Sequence, residues 1–428
     1  MILSISFSSV ISLCNLISVM IWFYSLFKIG NTNKYFCLLM LPLIWLYTFA
    51  ILSELYFEQF SSFTPELVQM TFATGGLIKL VFYNIILFWG AHISFHDVKV
   101  QVRPATKFNK YLIYIMYVSI VIMLLASLLI YGIPLFEGMN RFVFWNREVE
   151  NPMMAAARVN APLLVLLLML LYNEKKRLII LLLLLLVILT VLGGDKFSAF
   201  INFLLYMCIV FFSRKELNTS WQYIVKMLLI LSLVFVGLFS LVYYHYTEIS
   251  NVINVADMFE SRLVEQGQVW WITDQLMLKN ENWFLEGVDG FFYEIIAGFS
   301  SNVDPFYHGM YTIMKLITSQ DMVVQYYTMG VEFTEGYPAI GLIYFGYFGL
   351  IPFQLLMGMF YGRCAFILYK SICIADAPAC FLMGKINFLF VIGLVGGNLW
   401  KLLSYKTLIC LLLYFIWVKY KYRRFDNV

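Results

Sequence analysis

The segment YTEISNVINVADMFESRLVEQGQVWWITDQLMLKNENWFLEGVDGFFYEIIAGFSSNVDPFYHGMYTIMKLITSQDMVVQYYTMGVEFTEGY (Tyr246–Tyr337) decides how this chain is read. It carries 13 of the 25 acidic residues, from Glu248 through Asp257, Asp289 and Asp304 to Glu335, against only Arg262, Lys279 and Lys315. It holds one His, His308, and no Cys. Apolar runs long enough to cross a bilayer flank it on both sides, so a polar block of this size has to lie in water on one face of a membrane. It reads as the extramembrane wall of a site, and the rest of the chain as its mount.

Working outward, 62% of the residues are apolar and only 13% charged, which excludes an ordinary soluble domain. Apolar runs at 4–27, 35–53, 67–91, 111–133, 159–172, 178–192, 197–213, 223–246, 338–361, 379–398 and 405–418 give about eleven spans. The expected fold is an all-α polytopic membrane protein with one large outer loop carrying interfacial helices. It divides into a bundle over 1–246, the loop over 247–337, and spans with a tail over 338–428. The first run lacks a basic leader and a small-residue cleavage site, so it reads as a retained span. The net charge of +4 is too small and too scattered for nucleic acid. The seven Cys sit in or beside apolar stretches with no metal-ligand spacing and read as small buried hydrophobes.

Lys and Arg set the orientation. Lys28 and Lys34, then Lys99 through Lys110, Lys175–Arg177, Arg214 and Lys215, Arg363 and Lys370, and finally Lys419–Arg424 all fall on one face, the cytoplasmic one. That places the N-terminus, the connection 134–158, the turn at Gly193–Lys196 and the large loop outside, and the C-terminus inside. Within the loop, the apolar spacing of Phe259, Leu263 and Trp270 predicts a helix over 254–276. Phe306, Met310, Ile313 and Ile317 predict another. Trp270, Trp271, Trp283 and Phe291–Tyr293 suit the membrane–water interface.

Three features bring cations to the outer face. Arg141 and Arg147 in the connection after Pro134, with Arg158 at the head of the next span, defy the positive-inside pattern. Arg is the side chain best shaped to fork onto phosphate oxygens, although Glu148 and Glu150 could simply pair with them. Gly193-Gly-Asp-Lys196 offers a tight turn with a cation at a helix start, or a plain outer turn. Lys79 lies deep in the span 67–91, where a charge usually faces a cavity or a partner. For acid–base work the loop offers His308, and Glu332 and Glu335 where it returns to the membrane. Asp-x-Asp, HExxH, GxSxG and Walker-type patterns are absent, so the expectation is a site with no metal and no cofactor.

Three stretches together resemble the Wzy-type polymerases of O-antigen and related surface polysaccharides. They are Leu135-Phe-Glu-Gly-Met-Asn-Arg through Arg158-Val-Asn-Ala-Pro, the Gly-Gly-x-basic turn ending at Lys196, and Glu332-Phe-Thr-Glu-Gly-Tyr-Pro with the Gly-rich span behind it. Lys196 stands where that family commonly has Arg. The resemblance implies a GT-C-like membrane fold in the bacterial inner membrane with a periplasmic loop. Its implied reaction transfers a glycan between undecaprenyl-pyrophosphate carriers, with a chain-length regulator as a further partner. Arg141, Arg147, Arg158, Lys196, Arg262 and Lys79 would then bind the pyrophosphate, and His308, Glu335 or Glu332 would deprotonate the acceptor. An O-antigen ligase shares that donor and layout. A flippase or exporter of the same lipid-linked glycan would instead show short loops and two similar halves.

Overall fold

The structure, a computed structural model, describes residues 2–59, 63–64, 69–70, 74–96, 100–137, 144–194, 198–214, 255–279, 283–300, 302–329, 332–333, 336 and 338–425, with a few single positions between 226 and 237. The elements in order are α1 (Ile2–Thr32), α2 (Lys34–Leu39), α3 (Leu41–Gln59), β1 (Phe63–Thr64), β2 (Gln69–Met70), α4 (Gly76–Ser94) and α5 (Lys107–Tyr131). After α6 (Pro134–Glu137) and a π-turn at Phe144–Glu148 come α7 (Pro152–Met169), α8 (Lys176–Leu192) and α9 (Ser198–Ser213). The polar segment supplies α10 (Val255–Lys279), α11 (Trp283–Phe299), α12 (Met310–Ile317) and α13 (Gln320–Met329). The chain ends with α14 (Ala339–Cys373), α15 (Ala377–Val395), α16 (Leu399–Leu402) and α17 (Tyr405–Phe425). The only strand pairing among the described residues is antiparallel, Phe63 with Met70 and Thr64 with Gln69.

Seven helices among the described residues are long and apolar enough to cross a membrane, the mark of a multi-pass membrane protein. Leu41–Tyr56 and Ile201–Ser213 are apolar but shorter. The run expected at 178–192 is a helix of 17 residues, about 26 Å long, against a hydrocarbon layer of about 30 Å. The run expected at 223–246 lies almost wholly outside the described residues. That expected at 35–53 is broken at Met40, because Pro42 has no N–H to continue α2 but fits the first turn of α3.

The span expected at 67–91 starts only at Gly76, which corrects the depth given to Lys79: it belongs to the first turn of α4. Glu58, from the end of α3, fixes that start by accepting from the Gly75 and Leu77 amides at 3.2 Å each.

The chain forms two compact units, each assembled from separated segments. The first comprises Met1–His96, Ser240–Arg363 and Phe388–Thr407. Here α10 packs on α3 and α4, and Trp270 and Trp271, expected at the membrane surface, are 2% and 0% exposed. The Trp270 indole N–H donates to the Gly76 carbonyl at 2.9 Å, so its polar edge is satisfied inside the protein and needs no interface. The second unit comprises Asp97–Phe239, Cys364–Asn387 and Leu408–Val428. Its centre is the run Leu163–Leu168 of α7, buried throughout. Lys385 donates to Asn160 at 2.8 Å, and Trp417 and Lys421 close on Asp376.

Candidate functional site

In the first unit, α11 carries Gly287, Gly290, Glu294 and Gly298 at helical spacing on one face. The opposite face exposes Phe292, Tyr293, Ile296 and Phe299. The glycines let neighbouring backbone come close: a Cβ at Gly287 would strike the Ile343 carbonyl, and one at Gly298 the Leu403 carbonyl. This close approach seals Glu294, 0% exposed, against the start of α14 and the turn before α16.

Glu294 has only neutral donors. The Tyr344 hydroxyl donates to Oε1 at 2.7 Å and the Trp400 amide to Oε2 at 2.6 Å. Burial outweighs these donors and the more distant Lys401, and pushes the Glu294 carboxyl up to about 7. Next to it stands Asn398, which follows the Gly396-Gly397 turn that ends α15. Its Oδ1 accepts from the Met310 amide at 3.2 Å and the Trp400 indole at 3.3 Å. Its Nδ2 donates to Glu332 at 2.6 Å, and Lys401 reaches the same Glu332 oxygen at 3.3 Å. Gly309, at φ +63, brings the chain between Asn398 and Glu294 where a Cβ would collide with Asn398 Oδ1.

His308 is the side chain this frame leaves available. It is 2% exposed and its ring stands edge-on to Trp400 at 5.6 Å between centroids. Its Nδ1 has no hydrogen-bond partner among the described residues. Burial lowers its proton affinity, while Glu332 and Asp304 pull the other way, so the imidazole is neutral near pH 7. A neutral ring with an unpartnered nitrogen, under the charge of a carboxylate that would stabilise its protonated form, is an arrangement suited to proton transfer.

Of the residues singled out in the sequence, the fold therefore brings together His308 and Glu332. Glu335 lies outside the described residues. Arg262 belongs to α10, but its side chain is not described. Lys79 is held by both Asp274 oxygens at 2.6 and 2.7 Å and stands 5.0 Å from the centroid of the Tyr347 ring. In the second unit, Arg158 lies over the Trp145 ring at 5.4 Å, and the Trp145 indole donates to the Gly193 carbonyl at 2.8 Å. Two sequence features, the connection after Pro134 and the Gly193 turn, thus meet through Trp145. Arg141 and Lys196 are outside the described residues, as is the side chain of Arg147.

Glu294, Asn398, Trp400 and Lys401 had not been singled out. The signal for Glu294 was a lone carboxylate on the glycine stripe of α11. For the others it was Gly396-Gly-Asn-Leu-Trp-Lys401, which interrupts an apolar run.

Residues 305–411 match DUF6418, a family of unknown function. The matched stretch contains His308, Glu332, Asn398, Trp400 and Lys401, and stops short of Glu294. No curated protein and no solved structure matches the chain.

Proposed function

We propose that this protein is a membrane glycosyltransferase that polymerises undecaprenyl-pyrophosphate-linked oligosaccharides at the outer face of the bacterial inner membrane, in a GT-C-like fold. The observation that carries this reading is the buried His308, with an unpartnered Nδ1, edge-on to Trp400 and under the charge of Glu332.

In this scheme the acceptor sugar hydroxyl gives its proton to His308. Its oxygen forms the new bond to the donor's anomeric carbon, whose bond to the pyrophosphate oxygen breaks. The electron pair leaves on the pyrophosphate. Glu332 stabilises the imidazolium, and Lys401, beside it, offers positive charge to the leaving group. A pyrophosphate already activates the donor, so the scheme calls on no nucleotide. Arg262, in the same unit, remains a proposed pyrophosphate ligand on its sequence pattern and the resemblance. The periplasmic side for the segment 247–337 and a cytoplasmic C-terminus rest on the distribution of Lys and Arg.

A gel of the surface glycan from a strain lacking the gene tests the reading. Loss of a polymerase leaves core carrying a single repeat unit, whereas loss of a ligase or flippase leaves core without it. The flippase is the second reading, favoured by the buried carboxyl groups of Glu54, Glu58 and Asp274 and the half-buried Lys79 in the first unit.

A further inference from the structure

Where α7 and α9 end in the second unit, a cavity of about 270 Å³ is lined by Met169, Tyr172, Asn173, Val210, Phe211 and Arg214. Its two halves differ in kind. Met169, Val210 and Phe211 make an apolar wall continuous with helices that are themselves apolar. The other half is polar and basic. Arg214 Nη2 donates to the Arg103 carbonyl at 2.9 Å, and the Arg103 amide is in turn tied to the Cys373 carbonyl at 2.9 Å, so the guanidinium is held in place. Arg214 Nη1 is buried without a hydrogen-bond partner among the described residues. Lys176 stands over the Tyr172 ring at 5.8 Å, and Glu174, the neighbouring acid, is engaged by Lys110.

Arg214 lines the cavity, and a phosphate oxygen is the acceptor that a guanidinium fits best. Both flanking helices present C-terminal carbonyls here, which repel an anion, so the attraction has to come from Arg214 and Lys176. We infer that this cavity binds the phosphate of an anionic phospholipid, with Arg214 as its anchor and Met169, Val210 and Phe211 against the acyl chain. A free phosphate would use only the polar half. Arg214 follows an apolar helix by one residue, at the level where headgroups lie, and Lys175, Lys176 and Arg177 mark the same end.

The test is native mass spectrometry of the full chain in detergent, titrated with phosphatidylglycerol. Wild type should bind it, Arg214→Gln about tenfold more weakly, and Arg214→Lys in between. Lys419→Gln, which removes the same charge from an exposed site on α17, should bind as wild type. Should Arg214→Gln fail to fold by circular dichroism, the pair Asn173→Ala with Lys176→Gln supplies the comparison and should weaken binding in the same direction. Equal binding by a folded Arg214→Gln, equal occupancy by phosphatidylcholine, or displacement by inorganic phosphate would each overturn the inference.

Discussion

Asp274 and Glu294 both come from the polar segment and both are 0% exposed, yet their surroundings differ in charge. Asp274 is met by the Lys79 ammonium at 2.6 and 2.7 Å and by the Tyr347 hydroxyl at 2.8 Å. α14 breaks at Gly346, φ +63, and just beyond it the Tyr347 carbonyl accepts from the Tyr83 hydroxyl at 2.9 Å while the Tyr347 hydroxyl reaches Asp274. Glu294 meets only a phenol and backbone amides, and its proton affinity rises until it titrates near neutrality. Equal burial thus gives a locked ion pair in one place and a responsive acid in the other. The partner's charge decides which.

The sharpest test is at His308, the proposed base, one residue before the Gly309 that lies against Glu294. His308→Gln should lower polymer formation by about 10² to 10⁴ with the melting temperature little changed, measured as glycan length in membranes. A comparable rate in that variant would move the chemistry elsewhere. Next in size is the ion pair. Asp274→Ala leaves Lys79 with an uncompensated, partly buried charge and should cost about 3 kcal/mol in denaturant or thermal unfolding. The double change Lys79→Met with Asp274→Leu should recover most of that loss. If the double variant is as unstable as the single one, the pair is not what Asp274 contributes.

The pH dependence of stability tests Glu294. Glu294 binds its proton more tightly when folded than its ordinary 4.5. Its contribution is therefore fully present below about pH 4.5 and is lost as the pH rises through about 7, up to about 3 kcal/mol in all. His308 slopes the other way: its proton affinity is depressed on folding, so it costs stability as the pH falls below about 6.5. In a His308→Gln background, thermal melts should fall as pH rises from about 5 to 8, and adding Glu294→Gln should flatten them. A flat profile with Glu294 present would mean that its donors hold it ionised throughout. The smallest effect expected is in the second unit, where Trp145→Phe removes the bond to the Gly193 carbonyl and should cost about 1 kcal/mol.

The apolar runs made the membrane helices legible, because a bilayer demands a length and a composition that few other contexts do. The fine structure was less legible. Pro42 splits one run, and Glu58 marks the late start of another by capping α4 from the end of α3, across a stretch whose local pattern does not announce it. His308 and Glu332 could be chosen from their residue types and their place in a polar block. Glu294 escaped because its neighbours Phe292, Tyr293, Ile295 and Ile296 make α11 look like a helix that keeps its acid outside. In a helix that buries a glycine face and exposes apolar side chains, the sense is inverted. Asn398 and Lys401 escaped because their run is apolar on average, and only the Gly-Gly-Asn break marks them.

The most direct measurement uses purified protein in liposomes supplied with prenyl-pyrophosphate-linked oligosaccharide, with products resolved by length. Wild type should make chains of several repeats, and His308→Gln, still folded, should leave the starting units unextended. Wild type that builds no polymer, or a His308→Gln protein that builds it equally well, would contradict the assignment of glycosyl transfer to this buried cluster.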